Sequence, residues 1–270
     1  MMIKLGVTDL SFHRMTGALV RYVLEKHGHE VITSYSPHVA NFEQLAQGEL
    51  DLLTSAWLPY SHGAYLEKVQ TQQAVRKLGL HYESYAFWGV PDYVPADQVS
   101  EVKDLLKPSV ISQMTPLIQG IGEGAGISRF SRRAMAVYDL EAAGYAFRNG
   151  SEAECLAAFE QAVAEERWVV VPLWRPQYLN ARYAIRELKD PEGLFGGKDQ
   201  AVLLAREDRL EQLGSRCVAE LDSLRFGNEL IERLDYRVSC LGESLEAVAK
   251  EAIDGRSNHL VLHLHHDPVL

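Results

Sequence analysis

The sequence predicts an α/β protein of two lobes, with mainly parallel sheets flanked by helices. Three observations carry that prediction. Short apolar runs of β character alternate with segments of helical period along most of the chain. Two stretches rich in Pro and Gly, Gly89–Pro95 and Asp190–Gly197, interrupt the alternation near one third and three quarters of the length. From about Leu210 onward the pattern turns wholly helical, as if the chain returned over an earlier lobe.

Taken in order, Ile3–Thr8 reads as a strand. Gly17–Lys26 follows as a helix with Leu19, Val20, Val23 and Leu24 along one face, stopped at Gly28. Glu30–Ser34 is a strand, Phe42–Ala46 a short helix, Leu52–Trp57 a strand, and a helix runs over 62–70. Tyr85–Val90, Pro116–Ile121, Tyr145–Arg148, Val169–Trp174 and Ala201–Ala205 are further strands, separated by helical segments that include Ile127–Tyr138. The clearest helix is Ser151–Glu165: Ser151 followed by Glu154 is a capping box, and Leu156, Phe159 and Val163 form a buried stripe. Leu210–Leu221, Asn228–Leu234 and Leu245–Ala252 complete the helical end.

Composition narrows the function. The chain has 270 residues, 47% of them hydrophobic and 24% charged, an ordinary balance for a globular protein of one or two domains. Lys+Arg 27 against Asp+Glu 37 leaves a net charge of −10, which disfavours non-specific binding to nucleic acid or anionic membrane. No apolar run reaches the roughly 20 residues of a membrane helix. Cys155, Cys217 and Cys240 cannot all pair within one chain and none lies in a CxxC, so neither a disulfide framework nor a cysteine-ligated zinc is expected. Met1-Met2-Ile3-Lys4 runs straight into a strand with no leader ahead of it. A native start there implies the cytoplasm; a leader trimmed upstream implies a periplasmic or extracellular, membrane-associated protein.

Four groups of residues carry possible chemistry. Gly120-Ile-Gly122-Glu-Gly124-Ala125-Gly126, with Asp139 beyond it, imitates a dinucleotide fingerprint, but Asp139 falls at an apparent helix end and not at a strand tip. The plainer reading is a turn that presents backbone N–H groups at the start of helix Ile127–Tyr138, where any anion is favoured. Trp57 and Trp174 each close a strand that leads into an X-Pro turn, the place where open α/β sheets bind ligands. Paired indoles facing a cleft hold a cation that cannot donate a strong hydrogen bond, each face contributing about 0.5–2 kcal/mol. Trp88 and Trp168 read as structural. His62, three residues after Pro59, faces the same rim as Trp57, and no nucleophile or zinc motif accompanies it. The tail from His259 to Asp267 alternates as a strand would, but reads more simply as a solvent-facing end than as a metal site.

These pieces together resemble the substrate-binding proteins of ABC importers for glycine betaine, proline betaine, carnitine and choline. The residues that carry the resemblance are Leu24–Val31, Ser55-Ala-Trp57-Leu-Pro-Tyr-Ser-His62 with its continuation to Lys68, Gly120–Ile127, Ala134–Leu140, Trp174-Arg-Pro176, Arg182-Tyr183 and Leu188–Pro191. They cover residues 3 to about 205 in the family's order, and the Ala-Trp-Leu-Pro-x-x-His block is the most specific. The resemblance implies a two-lobed, type II periplasmic-binding-protein fold, with residues 1–91 and 204–270 in one lobe, 92–203 in the other and the ligand between them. It implies Trp57 and Trp174 as walls of an aromatic box, His62 as donor to a carboxylate, and the backbone N–H groups of Gly126 and Ile127 as its cradle. A further box Trp of some relatives falls on Leu10, so the cage is expected to need Phe12 or Tyr60, while Asp9 nearby would suit a cation without a carboxylate, such as choline. Relatives often carry His where Gln177 stands. The expected role is a monomeric, non-catalytic carrier that needs no cofactor and passes a quaternary ammonium compound to an ABC permease. A leaderless sensor of the same fold, or a nucleotide-dependent enzyme using the glycine turn, is the alternative.

Overall fold

The computed structural model describes residues 2–263, with side chains as far as Gly255. Strand β1 (Met2–Thr8) buries Ile3, Leu5 and Val7 completely and pairs in parallel with β2 (Glu30–Ser36) and β3 (Leu52–Leu58). Between β1 and β2 runs α1 (Ser11–Lys26), whose apolar face includes Leu19, Val20, Val23 and Leu24. Each of those buried side chains contributes roughly 1.5–3 kcal/mol. The helix starts six residues before the sequence pattern suggested, because Gly17 is a packing residue and not a breaker. A Cβ there would stand 2.6 Å from Val7 Cγ2, so glycine lets helix and strand approach closely. The helix ends at Gly28, which takes φ +80° as a C-terminal glycine does.

Helices α2 (His38–Ala46) and α3 (Gly63–Gln70) flank β3 and close a small second core around Phe42, Leu45 and Leu66. Strand β4 (Val75–Pro91) is far longer than the predicted Tyr85–Val90. Its first half carries Arg76 and Lys77, which hide it from a hydropathy reading, yet it pairs with β9 (Asp199–Arg206) and Arg76 bonds Glu207 at 2.9 Å. After a short 3-10 turn and α4 (Pro108–Ile111) come β5 (Leu117–Gln119), α5 (Gly126–Val137) and β6 (Ala146–Arg148), with β5 and β6 paired in parallel. Helix α6 (Glu152–Ala164) carries the predicted capping box: Ser151 Oγ accepts from the Glu154 N–H at 3.2 Å while Glu154 accepts from the Ser151 N–H at 2.7 Å. Strand β7 (Val171–Arg175), α7 (Leu179–Arg182) and β8 (Ile185–Glu187) then lead into β9.

The main sheet runs β2-β1-β3-β9-β4-β7, with β8 on β4. Its pairing corrects the expectation of mainly parallel sheets. Among strands β1 to β9, parallel pairing is confined to β1–β2, β1–β3 and β5–β6, whereas β9 and β4 are antiparallel to all their neighbours. A short helix-linked βα unit favours parallel neighbours, but β9 comes from far along the chain to lie between β3 and β4, and a pairing so distant in sequence carries no such constraint. Along β4 the partner changes from β9, up to Ser84, to β7, from Tyr85 onward. One strand thus runs through both halves of a two-lobed, curled α/β fold.

The predicted helix Leu210–Leu221 breaks at Gly214, φ +82°, into α8 (Leu210–Leu213) and α9 (Ser215–Ser223). Helix α10 (Asn228–Ser239) and α11 (Leu245–His263) follow, and α9, α10 and α11 all pack on α1, which is the return the sequence pattern implied. His259 and His263 therefore stand on a helix and not a strand; the rest of the His-rich tail lies outside the described residues. Among the described residues no helix is long and apolar enough to cross a membrane, and no cluster of metal-ligating side chains occurs.

Candidate ligand-binding site

Trp57 enters the site from β3, where all seven residues are buried and a register shift between Leu53 and Ala56 re-aims the strand end. Its indole N–H donates to Tyr82 Oη at 3.2 Å, which fixes the ring plane. Trp174 enters from β7, three strands away across the sheet order, and is 2% exposed. Phe12, from the first turn of α1, stands between them, with ring centroids 5.6 Å from Trp57 and 5.9 Å from Trp174. Leu10 completes this side, so Phe12, together with His13 at 5.7 Å from Trp57, stands where a third indole would close the cage.

The opposite side is built from donors. Helix α5 starts after Ala125 with no side chain capping it, so its first N–H groups, on Gly126 and Ile127, have no acceptor inside the helix. Gly126 is required sterically: a Cβ there would lie 2.9 Å from Ser61 Oγ and 3.0 Å from Ser61 Cβ. His62 is the residue before α3. Its Nδ1 accepts the Trp57 backbone N–H at 2.9 Å, which leaves Nε2 carrying the proton as the free donor. The loop before it is held by Asp199, which accepts from the N–H groups of Tyr60 (2.6 Å) and Ser61 (3.0 Å).

These residues line one narrow cleft, with Leu10, Phe12, His13, Trp57 and Trp174 on one side, His38, Ser61, His62, Ala125, Gly126 and Ile127 on the other, and Ala86 and Ile121 between. No carboxylate, lysine or arginine lines it. The nearby Arg129 is committed elsewhere, donating to the carbonyls of Ser61 (2.6 Å) and Gly124 (3.0 Å) and to Tyr65 Oη (3.1 Å), and so ties α5 to the loop before α3. The histidines are neutral. Burial holds His13 and His62 well below the ordinary imidazole range, with mutual repulsion adding to it. Burial, then the Arg129 guanidinium, pushes His38 down to about 4. His38 joins the group physically, its ring 4.8 Å from His62 and 5.7 Å from His13.

Seven of the nine residues singled out in the sequence line this cleft: Trp57, Trp174, His62, Gly126, Ile127, Leu10 and Phe12. Asp9 and Tyr60 do not. Asp9 is turned outward into a bond from Arg14 Nε at 2.7 Å and borders a wider, more open space that shares Leu10, His38, Ile121 and Ala125 with the cleft. Tyr60 is 55% exposed, its ring lying over Gly197. Gln177 is buried outside the cleft and accepts the Leu179 N–H at 2.9 Å, serving the turn after β7. Trp88 is a core residue whose indole donates to Ser131 Oγ at 2.9 Å. Asp139 follows α5 with φ +51°, away from any strand tip, and the dinucleotide reading loses its ribose partner.

His13 and His38 were missed. The signal for His13 was the apolar spacing Phe12–Met15–Leu19, which extends α1 back through it once Gly17 is allowed inside the helix; His38 carried none, since nothing in its neighbourhood marks it off from a helix start.

Two halves of one sheet thus each supply an indole to a single uncharged cleft, beside an uncapped helix N-terminus: the arrangement of a bilobal solute-binding protein. The chain belongs to the OpuAC family, the substrate binding domain of the ABC-type glycine betaine transport system, whose profile matches residues 1–255. Lactococcal OpuAC, solved closed with glycine betaine, superposes with a TM-score of 0.82 at 22% identity over 95% of this chain and 96% of that one. The glycine betaine, L-proline-binding protein ProX of Borrelia burgdorferi gives 0.80 at 26% identity, over 93% and 92%. An ABC-transporter choline-binding protein in complex with choline gives 0.80 at 16%, over 96% and 90%. The glycine betaine/carnitine transport binding protein GbuC of Listeria monocytogenes serotype 1/2a (strain 10403S) is 25% identical over 101 residues, 37% of this chain. That match spans about a third of GbuC's own length, 34%.

Proposed function

We propose that this protein captures glycine betaine, or a closely similar zwitterionic quaternary ammonium compound, and delivers it to an ABC permease. The observation that carries this reading is the pairing of an aromatic wall with a donor wall in a cleft that has no formally charged side chain. A ligand sealed there must bring its own compensating charges, since an isolated buried charge is costly. The trimethylammonium group sits against Trp57, Trp174 and Phe12, where ring quadrupoles stabilise it. The carboxylate takes the N–H groups of Gly126 and Ile127 and His62 Nε2–H, with the α5 dipole favouring it. A cation such as choline would bring only a neutral hydroxyl oxygen to those donors, in place of an anion, beside the positive end of a helix. With Asp9 turned away, no carboxylate compensates for that.

The two lobes meet at crossings we assign to Ser84–Tyr85 in β4 and to the segment 188–198 before β9, because strand pairing changes sides there. They close over the ligand by hinge motion. The protein acts as a single chain, without catalysis or cofactor, on the outer side of the cytoplasmic membrane. Isothermal titration with glycine betaine, choline and 3,3-dimethylbutanoate, an isostere that keeps the carboxylate but lacks the cationic nitrogen, tests the assignment. Tight binding of glycine betaine alone is expected, and equal or tighter binding of choline overturns it.

A further inference from the structure

We propose that Glu152 is a positioning residue for ligand capture: it reaches from α6 to cap the first turn of α1, which carries Phe12 and His13 of the cleft wall, and it takes up a proton as the lobes shut. This rests on the two-lobed capture described above.

The first residue of α1 follows Leu10, whose side chain offers no acceptor, and no side chain of the same segment caps the helix. The acceptor comes instead from 141 positions away: the Ser11 N–H donates to Glu152 Oε2 at 2.8 Å, and Ser11 Oγ lies 3.3 Å from Glu152 Oε1. A cap supplied across the interface exists only while the two lobes are together. It also sits beside the ligand, because Leu10 and Phe12, on either side of Ser11, both line the cleft.

The proton follows from counting hydrogens. Ser11 Oγ also lies 2.9 Å from Asp235 Oδ2 of α10. One hydroxyl carries one hydrogen and cannot donate to two carboxylates at once. Both contacts are hydrogen bonds only when one carboxyl is protonated and donates back to Ser11 Oγ. Asp235 already accepts from the Tyr178 N–H (3.2 Å) and Ser239 Oγ (2.8 Å), which favour its charged form, so the proton belongs mainly to Glu152. Groups facing Glu152 point the same way: Asp235 from α10 and Asp9 from the turn after β1 both raise it, Tyr178 and Cys155 bring no positive charge, and Arg14 is taken up by Asp9. Burial, opposed by the Ser11 N–H, pushes Glu152 up to about 7, and burial takes Asp235 up to about 6; the two titrate as a coupled pair.

A carboxyl raised in the closed form favours closure at low pH, and that contribution is lost as pH rises through 7. Burial keeps His13, His38 and His62 neutral in the closed form, so any of them protonated in the open form below about 6.5 releases its proton on closure, opposite in sign to Glu152; the ligand carboxylate stays ionised throughout. The test is therefore titration calorimetry of the full chain and of Glu152→Gln, which keeps an acceptor for the Ser11 N–H and leaves the three histidines in place. Both are titrated with glycine betaine from pH 5.5 to 8.5, repeated near pH 7 in two buffers of different ionisation enthalpy. Expected is a ratio of wild-type to variant affinity that falls on the order of tenfold to thirtyfold over that range, with more net proton uptake in the wild type than in the variant and variant binding at least as tight as the wild type at pH 8.5. A ratio constant with pH, or equal proton uptake in the two proteins, overturns the inference. Absence of glycine betaine binding at every pH refutes the ligand assignment and removes this inference with it.

Discussion

Replacing Trp57 by Leu separates the attraction of an indole face for a cation from its apolar bulk. Leu keeps most of the contact with Phe12 and His13 but has no quadrupole. Trp57 is 7% exposed and one of two indoles in the cleft, so its face acts in a desolvated setting, where a cation–π contact is worth about 2 kcal/mol. That corresponds to roughly a thirtyfold loss of glycine betaine affinity. The substitution also removes the bond to Tyr82 Oη, but Tyr82 keeps contacts with Ser55 and Thr16, and this cost falls on free and bound protein alike. Comparison with 3,3-dimethylbutanoate isolates the charge, since it has the same shape and carboxylate with carbon in place of nitrogen. Calorimetry, or competition for weak binders, should show the variant losing most of the wild type's preference for the quaternary ammonium ligand while changing its affinity for the isostere without the cation by a few-fold only. Equal losses for both ligands would refute the cage and reduce Trp57 to a packing residue.

Gly126→Ala places a methyl 2.9 Å from Ser61 Oγ, so glycine betaine affinity should fall on the order of tenfold while the melting temperature of the free chain changes little; a large loss of stability with unchanged affinity contradicts this. His62→Ala removes the donor assigned to the carboxylate, a charge-assisted bond of about 1.5–3 kcal/mol, and should weaken glycine betaine ten- to a hundredfold with little effect on carboxylate-free tetramethylammonium. His81 is fully buried with neither ring nitrogen bonded, and burial pushes it down to about 3. Because the unfolded chain binds that proton below about 6.5 and the folded chain does not, stability drains away as pH falls. His81→Leu should therefore stabilise by about 2–3 kcal/mol more at pH 4.5 than at pH 7.5 in urea melts, and equal gains at the two values would count against it.

Much of this fold could be read from local pattern where local physics decides. Ser151 and Glu154 form their reciprocal cap, Gly28 stops α1, and strand ends at Trp57 and Trp174 reach one cleft. The misreadings share a cause: tertiary contacts overrode local preference. Gly17 looked like a helix boundary and is a close-packing site against Val7; Arg76 and Lys77 looked like loop and belong to a strand whose neighbours come from far along the chain. The antiparallel centre of the sheet was invisible for the same reason, since pairing of β4 with β9 is a long-range choice. In the site, residue type and spacing found both indoles, the glycine turn and His62. They did not reveal which way Asp9 points, because its partner Arg14 lies in a part of α1 that the Gly17 misreading had excluded.

The most direct test of the central claim is a crystal structure of the chain with glycine betaine bound. The account predicts the quaternary nitrogen within about 6 Å of the Trp57 and Trp174 ring centroids, and a carboxylate oxygen about 3 Å from the Gly126 or Ile127 nitrogen and from His62 Nε2. A ligand lying outside the cleft, or reversed so that its methyl groups face the start of α5, would contradict it.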